Sequence, residues 1–89
     1  MDRWQALKSE LQKQAEAISE SSGEIVQLES RGESDLELTL ISGTREMNLQ
    51  YLRERNAVRW ETPDEYGFER IPETTGRLAA QLIQWALER

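Results

Sequence analysis

Leu36-Glu37-Leu38-Thr39-Leu40-Ile41-Ser42-Gly43-Thr44-Arg45-Glu46-Met47-Asn48-Leu49-Gln50-Tyr51 holds two runs of strict alternation. Leu36, Leu38 and Leu40 alternate with Glu37 and Thr39, and Met47, Leu49 and Tyr51 alternate with Asn48 and Gln50. A period of two places one set on an apolar sheet face and the other on a polar face. Ser42-Gly43 between the runs predicts a tight hairpin. A sheet with one apolar face needs a cover on that face, and the rest of the chain supplies one.

Upstream, residues 24–29 read as a strand with Val26 and Leu28 inward, followed by the turn cluster Arg31-Gly32-Glu33-Ser34. The hairpin strands are expected at 36–41 and 45–52. Arg53-Glu54-Arg55-Asn56 is a polar loop in which Asn56 tolerates a left-handed conformation. Val58 and Trp60 flank Arg59 in a fourth strand, 57–61, and Pro63 turns the chain after it. A short fifth strand, 66–70, is read as an edge with Phe68 inward, paired with Trp60 across the hairpin and facing the helices. Tyr66 and Arg59 are read as facing outward.

Helix-period segments close the chain at both ends. Over 3–21, Trp4, Leu7, Leu11 and Ile18 share one stripe, and Gln14 interrupts it. Asp2 with Gln5 suggests a capping box, and Gly23 a left-handed stop. Thr74 or Thr75 caps the last helix, whose face carries Leu78, Leu82, Ile83 and Ala86. The expected fold is a single α+β domain, 1–89: a two-layer sandwich in which an antiparallel meander of four or five strands carries both terminal helices on one face.

Composition bounds the function. The chain has 89 residues, 37% of them apolar, no cysteine and no histidine. Without cysteine there is neither a disulfide nor a thiolate metal site. The opening Met-Asp-Arg-Trp has charges where a signal peptide needs an apolar core, so none is expected, and no segment reaches membrane-spanning length. A cytoplasmic protein without membrane contact is expected. The net charge of −6 is uneven. Residues 10–37 hold eight acids against Lys13 and Arg31, whereas Arg45, Arg53, Arg55 and Arg59 form a small basic island. Such a chain repels nucleic acid, so direct nucleic-acid binding is not expected.

Catalysis usually draws on a group that titrates near neutrality, and histidine is missing. Asp64 with Glu65 or Glu61 are the nearest paired carboxylates, but exposed turn acids are usually just solvated. No catalytic residue, cofactor or metal site is assigned. Glu16 and Glu20 lie one helical turn apart with Glu24 beyond, a pattern common on solvated helix faces. The order helix, antiparallel strands, helix is similar to that of frataxin-like domains. That resemblance, which rests on element order and the acidic first helix, implies carboxylate iron handling as one alternative.

The polar sheet face is expected to carry Gln27, Glu37, Thr39, Asn48, Gln50 and Arg59, with Ile41, Leu52 and Ile71 breaking the polar pattern near strand ends. The interaction surface is placed at Arg59, Tyr66, Glu69, Arg70, Asn48 and Gln50, because aromatics beside arginines resemble hot-spot composition. The leading expectation is a small acidic interaction or regulatory module without catalytic activity, which binds a protein partner or self-associates weakly as a homodimer through the polar sheet face or the edge at 66–70. The alternatives are an acidic inhibitor or nucleic-acid mimic acting on a basic partner, and a carboxylate metal-handling domain.

Overall fold

In the computed structural model, which describes residues 2–30 and 35–88, the alternating stretch is a hairpin. Its strands are β2 (Glu37–Ser42) and β3 (Arg45–Leu52). Ser42 lies opposite Arg45, and Gly43 takes the positive φ of 63° that the two-residue turn demands. Around the hairpin lie α1 (Arg3–Ser22), β1 (Gln27–Ser30), β4 (Ala57–Glu61), β5 (Tyr66–Arg70) and α2 (Gly76–Glu88). The expected turn at 31–34 lies outside the described residues.

The five strands are hydrogen-bonded in the order β1-β2-β3-β4-β5, each antiparallel to the next. Leu38, Leu40, Met47, Leu49, Val58 and Trp60 share one face and form a single buried core with Trp4, Leu7 and Leu11 of α1 and Leu78, Leu82 and Ile83 of α2. Both helices therefore cover the same side of the sheet.

Local chemistry explains the helix ends. The Asp2 carboxylate accepts from the Gln5 backbone N–H at 2.7 Å, and Gly23 closes α1 at φ 76°. The capping box is one-sided, because the Gln5 side chain donates to Asp35 instead. Thr75 precedes α2, and its hydroxyl donates to the Ala6 carbonyl of α1. Gln14, the apparent flaw in the stripe of α1, donates to the Gly76 carbonyl at 2.8 Å and so joins the two helices.

Two expectations are corrected. Phe68 is not inward: Trp60 pairs with Gly67, and Phe68 lies opposite Arg59 on the outer face, 53% exposed. The four-residue connection from Glu61 to Tyr66 sets a register one residue away from the Trp60–Phe68 pairing. Ile71 is buried in the core and does not break the polar face.

Candidate interaction surface

With the core face assigned, the register fixes what the other face displays. One row runs Glu37, Gln50, Arg59, Phe68, and the next runs Glu29, Thr39, Asn48, Glu61, Tyr66. Thr39 is buried even here, with its hydroxyl donating to Asn48 Oδ1 at 2.8 Å. It floors a hollow of about 220 Å³ bordered by Glu37, Asn48, Gln50, Arg59 and Glu61. That is below the roughly 300 Å³ at which drug-sized ligand pockets begin.

The β4–β5 end of this face is different in kind. Tyr66 and Phe68 are 64% and 53% exposed, and their rings meet edge to face at 6.2 Å. The Arg59 guanidinium lies 5.0 Å from the centre of the Tyr66 ring while Nη2 reaches Glu61 Oε2 at 3.2 Å. A cation over the ring and a carboxylate behind the cation hold the phenol in place. Phe68 also borders an open groove of about 600 Å³, whose apolar lining is Leu36, Tyr51 and Leu52 and whose rim is Arg53, Glu54 and Arg55.

Of the six residues expected to form the surface, Asn48, Gln50, Arg59, Tyr66 and Arg70 share the outer face. Glu69 does not: it lies opposite Val58, on the helix-covered side at the sheet edge. Phe68 joins the cluster in place of its expected role in the core. Ile25 is a second exposed apolar side chain, at the far end of the fold from this cluster, beside Gly43 and Leu87.

The remaining acids have other roles. Glu61 is tied to Arg59, and Thr62 and Glu65 close the turn between β4 and β5 through their backbone. Glu16, Glu20 and Glu24 are exposed, and among the described residues no group of three or more acids gathers where it could hold a cation. Nothing in the sequence around Asp35 marks it out, because the side chains it meets lie about thirty residues away. Its carboxylate takes donors from Lys8 and Gln5, and its carbonyl accepts from Trp4 Nε1 at 2.7 Å. The Lys8 and Gln5 hydrogen bonds hold the Asp35 carboxyl below its ordinary value. Among the described residues, no helix is long and apolar enough to cross a membrane. Compared with protein-family models, curated proteins and solved structures, the chain matches none.

Proposed function

We propose that this protein is a non-catalytic interaction module that engages a protein partner through the β4–β5 end of its outer sheet face. The observation that carries the reading is the solvent-exposed pair Tyr66 and Phe68, held by Arg59 at the edge of the sheet. Large aromatics beside an arginine, already ordered before contact, are what interface hot spots are made of. The adjoining groove, apolar within and rimmed by Arg53, Glu54 and Arg55 with one net positive charge, suits an apolar side chain next to a carboxylate. An acidic mimic would instead present an unbroken acidic surface, whereas this face sets Arg59 and Arg70 among its acids.

The test is a photo-crosslinking residue placed at position 66 and, as control, at the exposed Gln12 of α1, each expressed in the native cell. The reading expects one protein adduct specific to position 66 and lost when Phe68→Ser is added. Identical adducts at both positions, or none at 66, would refute it.

A further inference from the structure

The β5 edge has a hydrogen-bonding pattern that can be read from its two ends. The Thr62 N–H bonds to the Glu65 carbonyl at 2.8 Å, and the Ile71 N–H bonds to the Asn56 carbonyl at 3.0 Å. In an antiparallel ladder the bonded pairs recur at every second residue. Trp60 with Gly67 and Val58 with Glu69 are therefore the bonded pairs between these two ends. Tyr66, Phe68 and Arg70 direct their N–H and C=O groups away from β4, and β5 is an outermost strand of the sheet. This edge is an open template for another strand.

We propose that the strand it takes is β5 of a second copy, paired antiparallel about a twofold axis through Phe68. This names a partner for the same surface and rests on its being a contact surface. The side chains match themselves in this register. Phe68 faces Phe68 of the second copy, and Tyr66 faces Arg70 in both directions, so each outer-face pair is aromatic–aromatic or cation–aromatic. All three outward-directed residues find bonded partners. On the other face Glu69 lies opposite Gly67, where the Trp60 indole rests and no like charge faces the carboxylate. Moving the axis one residue to Glu69 opposes two carboxylates, and moving it to Arg70 opposes two guanidinium groups. Moving it to Gly67 or Tyr66 shortens the overlap. The register on Phe68 alone keeps the full strand without facing like charges. The two sheets then merge into one of ten strands, with both aromatic clusters adjoining at its centre. The short strand and the −6 charge on each copy make the association weak and salt-strengthened.

Sedimentation equilibrium of the pure full chain, at rising concentration and moderate salt, reads this pairing with no foreign partner present. Its failure is therefore separate from failure of the crosslinking test above. A reversible dimer is expected. Tyr66→Glu, which sets a carboxylate opposite Arg70 of the second copy, should tighten it about three- to tenfold, and Tyr66→Arg should loosen it by a similar factor. Phe68→Lys, with like charges on the axis, should abolish it while circular dichroism shows the monomer folded. Since the chain has no cysteine, Phe68→Cys under mild oxidation should give a disulfide dimer, and Asn48→Cys should not. A strict monomer at hundreds of micromolar, a dimer indifferent to charge at position 66, or equal crosslinking of the two cysteine variants would overturn the proposal.

Discussion

Gly67 and Trp60 form the most demanding pair of residues in the sheet. A Cβ built on Gly67 would lie 2.5 Å from Cζ2 of Trp60, so the indole rests directly on bare backbone. Trp60→Ala should cost about 3–5 kcal/mol, the range for a buried large aromatic. Gly67→Ala should cost about 1–3 kcal/mol by overpacking. The two are coupled: in the Trp60→Ala background, Gly67→Ala should lose most of its cost. Urea unfolding of the four proteins checks this, and strict additivity would show that the ring does not rest on the glycine. The same pair explains why Phe68 is misread from sequence. Alternation in β5 is carried by Tyr66, Phe68 and Arg70, and nothing in a five-residue run marks which face is apolar. The inward position opposite Trp60 is held by a glycine, whose role is to leave space, and no hydropathy pattern shows that.

Among the elements, those with long regular periods are legible and those joined by distant contacts are not. The faces of β2, β3 and β4 follow from alternation over several residues, and α1 and α2 follow from their stripes and from Gly23. The hold of α1 on the start of β2 does not, because Asp35 meets Lys8 and Gln5 only in the folded chain. This link has a pH signature. The Asp35 carboxyl is lowered from 3.8, chiefly by its hydrogen bond from Lys8 and then by that from Gln5. A depressed folded-state value means the link stabilises fully above the unfolded value and weakens as pH falls through the folded one. Acid melts of the wild type should thus show a loss of stability below about pH 4. In Asp35→Asn that share of the slope should vanish, and Lys8→Met should diminish it. Unchanged slopes in both variants would show that the link contributes nothing. At the other contact of α1, Gln14→Ala should cost about 1 kcal/mol, since it removes the donor to the Gly76 carbonyl.

For the molecule as a whole the governing quantity is charge. The net −6 on 89 residues equals the charge of residues 10–37 alone, eight acids against Lys13 and Arg31, among which Glu16, Glu20 and Glu24 are exposed. Carboxylates in this density repel one another, and the repulsion is greater in the folded chain than in the expanded one. Screening it should therefore raise the melting temperature between low and moderate sodium chloride, most steeply below about 0.1 M, where the Debye length exceeds about 10 Å. A specific cation site would behave otherwise, because a bound divalent ion stabilises by its own affinity and saturates. Glu16 and Glu20 stand one turn apart on a solvated helix face, and among the described residues no third acid joins them. Two carboxylates of that kind compete poorly with water for calcium, which takes six to eight oxygen ligands. The expected result is that calcium, magnesium, manganese and ferrous iron shift the melt no more than sodium at equal ionic strength, in the wild type and in Glu16→Gln/Glu20→Gln alike. A divalent-specific rise of several degrees that disappears in the double variant would make α1 a cation site and would displace the interaction reading in favour of metal handling.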